Sequence, residues 1–278
     1  MQHILITGGN AGIGKATAIA LAKNGAKVII ACRNNTKAAQ AVTEIKAAAN
    51  SEEVYSLRCD LASFESVKEC AQDYRKQFGQ LDILINNAGL ITDKLQFTKE
   101  GYEMQIGVNH LGHFLLTTEL IDLLEESKEA RIINVSSGAH YRGKIKFDTF
   151  KGEIGPDKYN GMAAYSQSKL ANVLFTKELA KRYPSIISHS LHPGVVSTEI
   201  AQKNENKSLW KYAWKLFSPL MLNSAKGAKT SVYLASSPEA LKSNGKYFEK
   251  QKEKAPAGIA NDAALAEKLW EVSERLIG

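Results

Sequence analysis

Cysteine is scarce in this chain of 278 residues, and the three present, Cys32, Cys59 and Cys70, are odd in number and form neither a C-x-x-C pair nor a paired framework. That excludes a disulfide scaffold, and reduced thiols in a cytoplasmic setting are expected. Proline is rare as well, at 6 residues, and with 44% apolar and 23% charged residues the composition excludes disorder, so the chain is expected to fold throughout. No apolar run is long enough to span a bilayer. The first β-rich run begins at His3, which leaves no room for a charged leader or an N-terminal anchor. A dense basic run is missing too: the net charge of +7 comes from lysines scattered along the chain, which argues against nucleic acid and leaves a mild positive field suited to a phosphorylated small molecule. There is no internal repeat.

What the chain does contain is alternation. Short β-rich runs, HILITG (3–8), KVIIACR (27–33), EVYSLRCD (53–60), LDILINNAG (81–89), ARIINVSS (130–137) and IISHSLHPG (186–194), are separated by segments of helical composition such as 15–23, 36–49 and 63–78. This rhythm predicts an α/β fold, one doubly wound Rossmann-type domain over residues 1–278 with helices on both faces of a parallel sheet. Two stretches interrupt it. Residues 138–160, rich in Gly, Lys and aromatics, read as a functional insertion loop, and 197–222, ending in SLWKYAWKLFSPLML, read as an amphipathic substrate lid, with contact to a membrane surface as the alternative. A helix (224–236), a short strand (245–249) and a closing helix (261–276) follow.

The first strand runs directly into TGGNAGIGK, placing Gly8, Gly12 and Gly14 in the pattern T-G-x-x-x-G-x-G with Asn10 and Ile13 among them. Glycines allow a tight turn and close backbone approach, and the helix that follows points its free N–H groups at an anion, which is the chemistry a pyrophosphate requires. Thr17 stands where the G-x-G-x-x-G fingerprint has its third glycine. In such a unit the tip of the second strand meets the adenosine ribose; here it reads Ala31-Cys32-Arg33, with no carboxylate, and a guanidinium at that point favours a 2′-phosphate, hence NADP(H) over NAD. Asp60 and Leu61, after the third strand, are candidates for the adenine side, with a helix cap or turn the other reading of Asp60.

Six motifs in order, TGGNAGIG, NNAG (86–89), VNHLGHF (108–114), INVSS (133–137), YSQSK (165–169) and HPG (192–194), resemble the short-chain dehydrogenase/reductase family over essentially the whole chain. ACRN, MQIGVNHLGHFLLT and SKLANVLFTKELA are similar to its retinol-dehydrogenase-like branch, which includes WW-domain oxidoreductases and related carbonyl reductases. The resemblance implies roles at matching positions: Tyr165 as catalytic acid/base, Lys169 as its partner, Ser137 orienting the carbonyl, and Asn109 as fourth member. It also implies that Asn87, Ala88 and Gly89 line the cofactor cleft with Tyr165 and Lys169, that Pro193, Gly194, Val196 and Thr198 border the nicotinamide, and that seven parallel strands stand in the order 3-2-1-4-5-6-7. Microsomal retinol dehydrogenases carry an anchor ahead of the first strand, and this chain begins at that strand. The long stretch between Ser137 and Tyr165 resembles that of monomeric carbonyl reductases, which leaves both monomer and homodimer open.

The residues themselves say why the chemistry is feasible. Tyr165 and Lys169 are four apart in a helix-favouring segment, so both leave one face, and a nearby ammonium favours phenolate and lowers the phenol's pKa. Ser137 follows the fifth strand at the edge where open α/β sheets bind ligands, with Ser136 as competitor. Asn109, a poor helix former in a helical stretch, reads by itself as an ordinary polar helix residue, and it is the resemblance that implies a backbone carbonyl holding a water that links Lys169 to solvent. His110, His113, His140, His189 and His192 lack ligand spacing, so no metal is implied, and His110 and His113 are expected to face helix packing. The expected activity is interconversion of an aldehyde or ketone and an alcohol with NADP(H), in the reductive direction and on a bulky apolar small molecule. The alternatives are a cofactor-sensing scaffold without turnover and another reaction on the same fold, such as epimerisation.

Overall fold

A computed structural model of the chain describes residues 1–153, 155–194 and 224–278. The expected lid at 197–222 and the candidates Val196 and Thr198 lie outside the described residues. Among the described residues eight strands form one sheet: β1 His3–Thr7, β2 Lys27–Cys32, β3 Val54–Arg58, β4 Ile83–Asn86, β5 Arg131–Val135, β6 Ile187–His192, β7 Lys246–Glu249 and β8 Lys252–Lys254. Their order is β3-β2-β1-β4-β5-β6-β7-β8, so the seven expected parallel strands stand in the expected order. The eighth is an addition, antiparallel to β7, with Glu249 opposite Lys252. The two residues between them, Lys250 and Gln251, have φ of 52° and 63°, the twist of a two-residue hairpin. Its sequence, Lys-Glu-Lys, is exposed throughout and carries no apolar alternation by which to be read as a strand.

The central strands are apolar on both faces because helices cover both. Leu5 joins Phe114, Phe175 and Trp270 on one side, while its neighbours Ile4 and Ile6 join Leu21, Leu234 and Phe248 on the other. Helix starts are capped by local side chains: Asn34 accepts from Lys37 N at the head of α2 (Asn35–Ala49), and Ser63 from Ser66 N at α3 (Phe64–Phe78). The head of α1 (Gly12–Lys23) is different, for its N-cap is Ala11 and no side chain caps it.

The stretch bearing VNHLGHF is broken into α4 (Met104–Ile106), a π turn (Gly107–Leu111), α5 (Gly112–Glu119) and α6 (Ile121–Glu125). In the π turn the Gly112 N–H reaches back five residues to the Gly107 carbonyl. The longest helix, α7 (Gly161–Arg182), is capped by Asn160, which accepts from Ala163 N. Among the described residues two more follow, α8 (Ser224–Ser236) and α9 (Ala263–Ile277). The order of strand addition reverses between the parallel neighbours β1 and β4, and the crevice beyond their C-terminal ends is where an open sheet of this kind receives ligands.

Candidate active site

The floor of the crevice is built around one hydroxyl. Thr7, the last residue of β1, accepts at Oγ1 from the N–H groups of Asn87 and Ala88, each at 2.9 Å, and the Asn87 amide donates back to the Thr7 carbonyl at 2.8 Å. Gly8 turns the chain at φ +66°, and a Cβ on Gly14 would fall 2.4 Å from the Gly8 carbonyl oxygen, so α1 starts pressed against the turn. Beneath them the Cys32 sulfur accepts from the N–H groups of Gly9 and Asn10, and burial pushes its thiol up to about 12. Gly12 and Ile13 open the uncapped helix, and Arg33 stands exposed just past β2. Asp60 takes the turn reading: its Oδ1 accepts from Ala62 N at 3.1 Å, while the cap of α3 is Ser63. Leu61 sends its side chain into the core.

Across the crevice, Tyr165 and Lys169 share the inward face of α7, and the Lys169 ammonium lies 5.7 Å from the Tyr165 ring centre. The Ser137 hydroxyl, just past β5, stands near enough to the Tyr165 phenol of α7 to favour its ionised form. Ser136 is turned away, its hydroxyl donating to the Lys169 carbonyl at 2.7 Å. The two adjacent serines are thus told apart by geometry. Lys169 Nζ donates to the Val135 carbonyl at 3.0 Å. A Cβ on Gly89 would stand 3.3 Å from Lys169 Nζ and 3.4 Å from Asn109 Oδ1, so the loop after β4 passes close beside the ammonium. The Asn109 side chain is spent on structure, with Oδ1 accepting from Leu90 N and Nδ2 donating to the Leu90 carbonyl and to Ser168 Oγ. Its carbonyl, expected to hold a water, receives the His113 ring at 3.1 Å and keeps a second lone pair. Pro193 and Gly194 follow β6, Gly194 at φ +89°.

One expectation is corrected. The Tyr165 phenol lies above its ordinary value, not below: burial raises it, and the opposing effect comes from the Ser137 hydroxyl. The same burial brings the Lys169 ammonium down to about 8, because desolvation penalises whichever form is charged. Among the described residues no group of three or more His, Cys, Asp or Glu is placed to hold a metal.

A family model described as short chain dehydrogenase matches residues 2–209. Retinol dehydrogenase 13 of Homo sapiens is 43% identical over 286 aligned positions that cover 100% of this chain and 85% of that protein. The chain belongs to the short-chain dehydrogenase/reductase family. Its place is in the retinol-dehydrogenase-like branch, for retinol dehydrogenase 12 of Mus musculus is also 42% identical, over 99% of this chain and 86% of that one. Among solved structures, 3-ketoacyl-(acyl-carrier-protein) reductase from Brucella melitensis, complexed with NADH, superposes with a TM-score of 0.67 at 26% identity, covering 89% of this chain and 95% of that chain. Membership makes the chain an oxidoreductase of CH–OH donors, working on a small molecule with a nicotinamide dinucleotide.

The residues of this short-chain dehydrogenase fit that dinucleotide. The uncapped head of α1 offers leading N–H groups to a pyrophosphate, and the glycine at position 89 leaves room beside Lys169. Two further positions were not legible as site residues. His140 donates from Nδ1 to the Ser137 carbonyl at 2.7 Å and accepts from Ala257 N at 3.1 Å, pinning the backbone of the serine to the C-terminal loop. His113, buried as expected, bonds the Thr7 hydroxyl at 2.8 Å. The i, i+4 spacing of Asn109 and His113 was the available signal, and it does not say what the ring would meet across 106 residues of chain.

Proposed function

We propose that the protein is an NADP(H)-dependent carbonyl reductase of a single domain that interconverts an aldehyde or ketone and its alcohol. The dinucleotide, when bound, supplies the hydride in reduction and takes it up in oxidation. The rest falls to this chain's residues. As the substrate carbon gains hydride, electrons of the C=O bond move onto oxygen, and the Tyr165 phenol gives that oxygen its proton. Ser137 donates a second hydrogen bond to the same oxygen and holds it in line with Tyr165. Lys169, charged below pH about 8, faces the developing phenolate and offsets its charge. In the oxidative direction the same groups run in reverse.

The observation that carries this reading is the juxtaposition of Tyr165 with Ser137 and with the Lys169 ammonium, 5.7 Å from the phenol's ring centre, at the C-terminal edge of the sheet. Arg33, exposed where an NAD-binding site would place a carboxylate, supports NADP(H). The aromatic composition of 197–222 supports a bulky apolar substrate, and three free, buried cysteines support a reducing, cytoplasmic setting. The test is a panel of aldehydes and ketones with NADPH consumption followed by absorbance. Tyr165→Phe is expected to lower turnover by about a hundredfold or more while dinucleotide binding persists. Undiminished reduction by that variant would remove Tyr165 as the proton donor.

A further inference from the structure

His113 opens the second turn after Asn109 and is buried against the floor of the crevice. Its two ring nitrogens meet different elements: Nδ1 lies 3.1 Å from the Asn109 carbonyl oxygen, and Nε2 lies 2.8 Å from Thr7 Oγ1. A carbonyl oxygen only accepts, so Nδ1 must carry the hydrogen. In the neutral ring Nε2 is then a bare acceptor, and Thr7 must give it its one O–H. The hydroxyl's two lone pairs are left for the N–H groups of Asn87 and Ala88, both at 2.9 Å, and every donor and acceptor in the set has a partner.

The other tautomer fails this accounting. A hydrogen on Nε2 would make the Thr7 oxygen accept three N–H groups with two lone pairs, set the Nδ1 lone pair against a carbonyl oxygen, and send the Thr7 O–H to the Ile85 carbonyl at 3.4 Å. The imidazolium fails at the Thr7 end for the same reason. Burial also disfavours the charged ring, as does the Lys169 ammonium facing it from α7, and the two bring the His113 pKa down to about 4.

We propose that His113 is a positioning residue of the active site: as the neutral Nδ1–H tautomer it ties the backbone of Asn109 to the Thr7 hydroxyl, and so locks the catalytic π turn to the floor on which the dinucleotide lies. This rests on the functional reading above, in which Asn109 and Lys169 serve catalysis and Thr7, Asn87 and Ala88 underlie the dinucleotide. Each nitrogen has its own duty, so the two can be separated. In His113→Asn the side-chain amide retains a donor near the Nδ1 position and loses the Thr7 contact. In His113→Gln the amide oxygen reaches the Nε2 position and the Asn109 contact is lost. His113→Phe keeps neither.

The experiment is nitrogen NMR on the full chain labelled with 15N-histidine, joined to kinetics and NADPH titration of the three variants. For His113 the spectrum is expected to show a protonated Nδ1 and a bare Nε2, unchanged between pH 6 and 9; the reversed assignment or a charged ring overturns the proposal. His113→Phe is expected to lower kcat and weaken NADPH binding, each by about tenfold, the worth of one buried hydrogen bond. His113→Asn should restore kcat but not binding, and His113→Gln binding but not kcat. Equal impairment of both readouts in Asn and Gln, tracking only the loss of unfolding midpoint, would make the histidine a packing residue and overturn the proposal, as would wild-type values in all three. If the Phe variant does not fold, the Asn and Gln pair and the spectrum decide. Should the wild type reduce no carbonyl compound, the carbonyl-reductase reading falls, while the spectrum and the NADPH titration still decide for or against His113.

Discussion

Lys169 carries a positive charge in a place with almost no water, and its pKa falls from 10.5 to about 8 as a result. Two consequences follow for pH. The ammonium that steadies the Tyr165 phenolate is lost as pH rises through about 8, so carbonyl reduction at saturating substrate is expected to decline above that point, as a pH–rate profile will show. Stability moves the other way. Between about 8 and 10.5 the unfolded chain holds more protons at this residue than the folded one, so the destabilisation from burying the charge is full below 8 and fades as pH climbs. Arg33 acts on the surface: Arg33→Ala is expected to raise the Kd for NADPH about tenfold or more and leave that for NADH nearly unchanged, since only the former carries the 2′-phosphate. Equal effects on the two in parallel titrations would remove the phosphate contact.

The elements are held to one another by buried polar groups at their ends. Glu103, 3% exposed, caps α4 through the N–H groups of Gln105 and Ile106 at 2.9 and 2.8 Å and accepts the Tyr159 hydroxyl at 2.7 Å. Gln105 in turn donates to the Gly161 carbonyl, at the first residue of α7, at 2.8 Å. A Cβ on Gly161 would lie 2.0 Å from the Thr92 carbonyl oxygen, so the loop after β4 sits directly on the start of this helix. The end of the 138–160 insertion is therefore fastened to the helix that carries Tyr165. Glu103→Ala removes the cap and leaves the Tyr159 hydroxyl without its carboxylate, which is expected to cost about 2–3 kcal/mol in urea unfolding. Tyr159→Phe removes that hydroxyl's bonds to Glu103, Gln105 and Thr92 but leaves Glu103 its two backbone donors, and should cost about 1–3 kcal/mol.

At the scale of the molecule, α9 covers the outer side of α5 and α7, with Trp270 packed 4.8 Å from the Phe114 ring centre and the Arg182 guanidinium 4.7 Å over its face. Trp270→Ala opens a cavity there and is expected to destabilise the chain by about 3–5 kcal/mol, measured as a lower urea midpoint. The strands themselves, the glycine turn, the helix bearing Tyr165 and Lys169 and the serines after β5 were legible in the sequence, because each depends on residues near one another along the chain: apolar runs of strand length, glycines where backbone must turn, a spacing of four on a helix; the strand order, which is a matter of long-range pairing, came from the family resemblance. The resemblance implied Ser137 over Ser136; the π turn at Asn109, the hairpin strand β8, the upward shift of Tyr165 and the duties of His113 and His140 were decided by tertiary structure alone. Those depend on burial and on partners that meet only after folding, such as Thr7 with His113 across 106 residues and His140 with Ala257 across 117. A side chain's chemistry is written in the sequence; the dielectric around it and the atom it faces are not.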